Sequence, residues 1–308
     1  MLPEPERNGS RHDTNAYIAD RDVDASDEGV SMLITDAQVH LHEPERPDRP
    51  WPKPPRTAAN PAEAYTGEQF LVEMDAAGVD RAVIVPPFFT GENPTYALEL
   101  HERYPQRFAV MGRFDTDAPG GEERLAHWME QPGMLGIRVS YLAMPRREQV
   151  DDGSLEWFYT ACERYGVPLM MLFSGMAEKA RPIIERHPGL TVILDHIALP
   201  LQDGIKAFEA LPHVLPLASH PNVYVKVSSV PNFSAEPYPH RDVFPYMRQL
   251  FDMFGPQRLF WGADFTRLAG TYVECVDMFR KDIEWLSVED REWILGRALA
   301  ECLNWPEA

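Results

Sequence analysis

The chain has 308 residues, 44% of them hydrophobic and 25% charged, which suits one large soluble domain or two small ones and excludes collagen-like and wholly disordered chains. No run of about 18 apolar residues occurs, and the opening MLPEPERNGSRHD lacks the apolar segment of a secretory signal, which points to a cytoplasmic protein without a membrane span. With 29 Lys and Arg against 48 Asp and Glu, a formal charge of -19 repels nucleic acid and anionic membranes, yet a pocket with a few local cations still admits a small anion.

Residues 1–31 are polar and acidic, without apolar periodicity, and read as a disordered tail. The domain is expected over 32–308, with Met32 a candidate natural start. MLITDAQVHLHEP reads as a strand running into a loop, and the Pro-rich RPDRPWPKPPR after it excludes helix and central strand. A regular alternation follows. Thr66 N-caps a helix ending at Gly78, before the strand RAVIVPP; Asn93 and Pro94 open a second helix before FAVMGRF. The pattern repeats through MLGIRVS, VPLMMLF, LTVILDH, VYVKVSS and RLFWGAD, each preceded by a helical segment and the last followed by two more. Eight short apolar strands alternating with amphipathic helices predict parallel pairing and a single-domain (β/α)8 TIM barrel of the α/β class. An open doubly wound sheet is the rival, weakened because no Gly-rich dinucleotide fingerprint follows the first strand. Cys162, Cys275 and Cys302 show neither disulfide nor metal-ligand spacing and are assigned to packing.

Barrel chemistry sits at the C-terminal strand ends, and here those ends are polar. Strand one carries Asp36, Gln38, His40 and His42, one face by the period of two. Later strands end in Arg113 and Asp115, Arg138 and Ser140, Phe173 and Ser174, Asp195 and His196, Lys226 and Ser228, and Asp264 and Arg267. Any one of these alone is more often a hydrogen-bonded rim residue than a functional one. Their convergence on one mouth is the signal, since a purely structural barrel has little reason to desolvate such a set. Phe88, Phe89, Tyr141, Phe173, Trp261, Phe265 and Trp51 make the neighbourhood aromatic, suited to a partly apolar, ring-shaped substrate.

DAQVHLHEP, LDHIALP and LFWGADFTR, in that order, resemble the amidohydrolase superfamily, in the amidohydrolase-2 type branch of small barrels that contains lactonases and nonoxidative decarboxylases. The resemblance spans about residues 33–304. It implies an HxH pair on strand one, a strand-six His matching His196 and a strand-eight Asp matching Asp264, which activates water or holds a metal. Aligned on Asp36, the D-x-H-x-H pattern becomes D-x-Q-x-H, with Gln38 in place of the first His and His40 matching the second; sliding the register pairs His40 with His42 instead. Strand five offers Phe173 and Ser174 where metal-binding members carry a ligand, so that a Phe173 ring is expected against any ion.

These departures favour a site without a tightly bound metal. The alternative is a single divalent ion, Zn or Mn, on His40, His42, His196 and Asp264. The leading expectation is a hydrolase opening a lactone or related ester of a small carboxylic acid. Asp264 is then the general base, His40 and His196 the oxyanion donors, and Arg113, Arg138 and Arg267 the carboxylate grip, with Gln38, His42, Tyr141 and Lys226 as further substrate contacts. The alternatives are a metal-dependent decarboxylase of an aromatic or enoic acid and a barrel that has lost its chemistry and binds a small acid. The expected partner is a small molecule, a carboxylate or cyclic ester, with a homo-oligomer open.

Overall fold

The computed structural model describes residues 32–52, 64–142 and 145–305. The expected tail at 1–31 and much of the Pro-rich loop lie outside the described residues. Eight parallel strands, β1 (Thr35–Val39), β2 (Arg81–Ile84), β3 (Phe108–Gly112), β4 (Met134–Ser140), β5 (Leu169–Leu172), β6 (Val192–Leu194), β7 (Val223–Ser228) and β8 (Leu259–Gly262), follow one another around a nearly closed barrel in chain order. Helices fill the crossovers: α1 (Gly67–Ala77), α2 (Thr95–Arg103), α3 (Gly121–Ala126), α4 (Arg146–Asp152), α5 (Glu156–Tyr165), α6 (Ala177–Arg186), α7 (Leu211–Val214), α8 (Phe244–Phe254) and α9 (Tyr272–Asp277). The TIM barrel predicted from the alternation is the fold. Helix α4 was not anticipated, and the region before β7 is mostly short 3-10 turns.

Local signals act as expected at α1. The Thr66 side chain accepts from the Gln69 N–H while Gln69 answers to the Thr66 N–H, and Gly78 ends the helix in the left-handed region. No described helix is long and apolar enough to cross a membrane. Cys162 and Cys275 are buried free thiols, and Cys302 is a partly buried one.

Strand residues alternate between two apolar layers. Val83, Ala109, Met111, Met170, Ile193 and Phe260 fill the barrel, while Ile84, Val110, Ile137, Met171, Leu194 and Trp261 pack toward the helices. Two irregularities reset this alternation where the chemistry lies. In β1 the register shifts between Asp36 and Val39, so Ala37 packs in the barrel core and Val39 and Leu41 pack outward. Asp36 is thereby separated from Gln38 and His40, and the single face expected from strict period two does not exist. In β4 the register shifts opposite Val110 and Met111. Leu135 and Arg138 both point inward as a result, with Ile137 outward. Gly136 permits this, because a Cβ there would lie 2.4 Å from the Pro168 carbonyl oxygen.

Asp36 instead closes the ring. Its Oδ1 accepts from the N–H of Gln38 (2.9 Å) and Ala263 (3.0 Å), and its Oδ2 from the Tyr272 hydroxyl (2.9 Å); the Asp264 N–H donates to the Gln38 carbonyl at 3.1 Å. Burial pushes the Asp36 carboxyl up to about 7, against the pull of those donors. A carboxyl raised in the fold stabilises it fully at low pH, and that contribution is lost as pH rises through about 7. Asn keeps an acceptor for both amides, so Asp36→Asn should fold and should flatten the decline of Tm between about pH 4 and 7, the interval between the ordinary and the folded value. An identical slope in wild type and variant, read by thermal melts, would show that Asp36 does not titrate there.

Candidate active site

Strands β6, β7 and β8 each end in a non-glycine residue with left-handed backbone: His196 (φ 51°), Ser229 (φ 58°) and Asp264 (φ 52°). Such a conformation costs about 1–3 kcal/mol per residue and persists only where surroundings impose it. Here the turns accompany three side chains that bond to one another. The Ser229 hydroxyl donates to Asp264 Oδ2 at 3.1 Å, and the Oγ atoms of Ser228 and Ser229 lie 2.9 and 3.3 Å from His196 Nδ1. With the Ser229 proton directed to Asp264, its oxygen accepts from His196 Nδ1–H, leaving a lone pair on Nε2.

His40 is in the matching state. Its Nδ1 is 2.7 Å from the Val85 carbonyl, which only accepts, so the neutral ring carries its lone pair on Nε2. Burial holds both histidines neutral, lowered from 6.5 to about 4. Burial opposes the Asp264 charge, but His196, His40, Arg267 and the Gln38 amide outweigh it and keep the carboxyl below its usual range. Asp264 is therefore an anion between two uncharged rings at neutral pH. The expected donor role of the histidines toward an oxyanion does not fit this state, since their site-facing nitrogens accept.

Gln38 stands at the centre. Its Nε2 is 3.3 Å from His40 Nε2, 3.3 Å from His196 Nε2 and 3.2 Å from Asp264 Oδ1. Its Oε1 accepts from the Lys226 ammonium, which also pairs with Asp195 at 2.8 Å; Asp195 in turn takes the Arg138 Nε–H at 2.9 Å. Burial works against the Asp195 charge, yet Lys226 and Arg138 hold its carboxyl far below the usual range. Ser229 was not among the residues singled out, and Asp195, named with His196 as a polar strand end, was given no role. The DH pair after β6 and the SS pair after β7 were the only sequence traces of them.

A cavity of about 710 Å³ opens beside this cluster, lined by His40, Arg113, Arg138 and Arg267 together with Phe88, Phe89 and Leu172. Arg113 is anchored through Nε to the Pro86 carbonyl (2.8 Å). Burial and the neighbouring Arg138 charge push its guanidinium down to about 9. Arg267 lies 3.9 Å from Asp264 Oδ2. Of the other expected contacts, Gln38 and Lys226 are wholly buried behind the cavity rather than on its wall. His42 bridges to Tyr65 and packs edge-on against Phe89 and Trp51, in a neighbouring pocket of about 280 Å³. The structure thus joins His40, His196 and Asp264 and leaves His42 apart. Tyr141 stacks on Phe173 at 4.4 Å and hydrogen-bonds Tyr159. Both rings therefore belong to the layer between barrel and helices, and Phe173 faces no ion position. Strand β5 turns Met170 and Leu172 inward instead.

A divalent ion does not fit this donor set. Lys226 can only donate, so the Gln38 amide must offer it oxygen and present its NH2 to the histidines and Asp264. An ion there would meet amide protons in place of a lone pair, and β5 brings a thioether and an alkyl chain rather than a ligand. Among the described residues no group of three or more His, Cys, Asp or Glu has metal-holding geometry.

The amidohydrolase family profile matches residues 35–298. An L-fucono-1,5-lactonase of Burkholderia ambifaria is 30% identical over 246 residues, covering 77% of this chain and 82% of that protein. A 4-sulfomuconolactone hydrolase of Hydrogenophaga intermedia is 24% identical over 205 residues, 64% of each chain. Among solved structures, an amidohydrolase from Burkholderia multivorans with bound zinc has the same fold, with a TM-score of 0.74 at 23% identity over 89% of this chain and 100% of that one. The match runs through every strand that carries Gln38, His40, His196 and Asp264, and the chain belongs to the amidohydrolase family.

Proposed function

We propose that this protein is a hydrolase that opens a lactone, or a related ester, bearing a carboxylate or comparable anion, with Asp264 taking the proton from water. The observation that carries this reading is a pair of buried guanidinium groups, Arg113 and Arg138, on the cavity wall of a protein of formal charge -19. Arg138 pairs with Asp195 behind the wall, Arg113 has no ion pair of its own among the described residues, and Arg267 adds a further cation, with Glu92, Asp115 and Asp117 elsewhere on the lining. Desolvating an unbalanced cation costs several kcal/mol unless an anion answers it, and a substrate anion does so. The named lactonase relatives support the reaction class. Between them, a sulfo-substituted lactone matches this charge better than an uncharged sugar lactone.

In this mechanism a water admitted beside His40, the member of the cluster that lines the cavity, donates one hydrogen to Asp264 and the other to His40 Nε2, which leaves an oxygen lone pair for the substrate carbonyl. The water oxygen bonds to that carbon as its proton passes to Asp264. Arg267, beside Asp264, faces the negative charge that develops on the carbonyl oxygen, while Arg113 and Arg138 hold the substrate anion through their Nη groups. Collapse breaks the bond to the ring oxygen, the protonated Asp264 returns its proton to that alkoxide, and a hydroxy acid leaves. No tightly bound cofactor enters any step. The decarboxylase alternative needs an ion where the Gln38 NH2 stands, and no observation favours it.

Asp264→Asn keeps the shape and loses the acceptor. It should lower kcat on an accepted lactone by about 10³-fold with an unchanged circular dichroism spectrum; activity within tenfold of wild type removes Asp264 from the reaction. Arg113→Met and Arg138→Met retain apolar stem and lose the fork, so KM for an anionic lactone should rise about tenfold or more in at least one of them. A panel of 4-sulfomuconolactone and L-fucono-1,5-lactone measures this, and an equal effect on the uncharged lactone would contradict the clamp. For pH, the acceptor forms are active: His40 and His196 must be neutral and Asp264 ionised. On the acid side activity is therefore lost only as pH falls to about 4, and kcat/KM should be flat from about pH 5.5 until the Arg113 guanidinium begins to lose its proton toward 9. An acid limb near 6.5, the ordinary histidine value, would show that burial does not hold these rings neutral.

A further inference from the structure

Four polar atoms, from Gln38, His40, His196 and Asp264, are gathered as the corners of one small cluster. Gln38 Nε2 is 3.3, 3.3 and 3.2 Å from His40 Nε2, His196 Nε2 and Asp264 Oδ1. His40 Nε2 is 3.3 Å from Asp264 Oδ1, and His196 Nε2 is 3.8 Å from Asp264 Oδ2. Ligands held about 2.0–2.1 Å from a tetrahedral zinc ion are separated by about 3.3–3.4 Å. The Gln38, His40 and Asp264 edges have the spacing of neighbouring zinc ligands, while His40, His196 and Asp264 by themselves form no metal-holding group. Three corners carry lone pairs of the kind zinc accepts, two imidazole nitrogens and a carboxylate. The fourth carries protons.

What sets the polarity of that corner is Lys226 on β7. Its ammonium has three donors and no acceptor; it donates to Gln38 Oε1 and Met170 Sδ and stands 2.8 Å from Asp195 Oδ1 as an ion pair. Turning the amide over would set NH2 against NH3+ in a wholly buried place, where an unmatched donor is costly and a charged one more so. Asp195 in turn keeps Lys226 in position and is itself held by Arg138.

The geometry points to Gln38 and Lys226 as a built-in replacement for a metal ion: the Gln38 amide fills a cluster with zinc-ligand spacing with its own protons, and Lys226 is a positioning residue that locks the amide in the orientation excluding an ion. The inference concerns what the cluster binds and does not rest on the lactone reading. It makes a one-atom change decisive. Gln38→Glu replaces NH2 by oxygen in nearly the same shape, leaves Lys226 an acceptor, and turns the fourth corner into a ligand.

The test is metal content per chain after incubation of the purified full-length protein with zinc chloride and desalting, with cobalt(II) absorption as a report of four-coordinate geometry. Wild type should retain less than about a tenth of an equivalent, and Gln38→Glu about one equivalent, with the intense visible bands of tetrahedral cobalt. Wild type holding near-unit zinc that His196→Asn removes overturns the proposal. So does a Gln38→Glu protein with native circular dichroism that holds no more metal than wild type. Lys226→Met provides an independent check should the first variant not fold. Freed from the ammonium, the amide can turn its oxygen inward, and cobalt affinity should rise about tenfold or more over wild type while staying below that of a Glu corner. A folded Lys226→Met indistinguishable from wild type overturns the part assigned to Lys226.

Discussion

The seam between β1 and β8 depends on the buried Asp36 carboxylate, because these two strands are not among the paired neighbours of the sheet and the polar groups at their meeting need another partner. Asp36 takes amide protons from both strands and ties them to α9 through Tyr272. Gly262 is part of the same device, since a Cβ there would sit 3.2 Å from Asp36 Oδ1 and 3.3 Å from Ser228 Cβ. With the seam drawn this close, the Asp264 N–H reaches the Gln38 carbonyl. The site is assembled across that join, with Gln38 and His40 from one side and Asp264 from the other.

From the seam inward, the mouth is a chain of charges in which each member restrains the next. Arg138 fixes Asp195, Asp195 fixes Lys226, Lys226 fixes the Gln38 amide, and the amide orders two imidazoles and a carboxylate. Burying ions in this way is poor value for stability, because desolvation offsets most of the attraction. It is effective for defining one arrangement of protons, as each donor has one available acceptor direction. The left-handed turns at His196, Ser229 and Asp264 fit the same picture, since strain is tolerated where the surroundings over-determine a side chain.

Specificity is arranged on the opposite wall. Arg113 and Arg138 come from adjacent strands and repel each other in a buried setting, an arrangement that an incoming anion relieves. The β4 irregularity at Leu135 and Gly136 creates this pair, because uninterrupted alternation would have turned Arg138 toward the helices. A backbone defect permitted by one glycine thus decides which way a guanidinium points.

Sequence alone determined the barrel, the capped α1 helix and the list of polar strand ends, because hydrophobic period, capping chemistry and turn residues act over a few positions and are written locally. It also determined that Gln38 departs from an HxH pair. It did not separate Asp36 from Gln38, His42 from His40, or Tyr141 and Phe173 from the cavity, since period two assumes an unbroken strand and the shift in β1 breaks it. Nor did it reveal the partnership of Gln38 with Lys226, which lie 188 residues apart. Only closure of the barrel brings these two side chains within reach. Burial then makes the orientation of one amide matter, because a mismatched donor is costly away from bulk solvent.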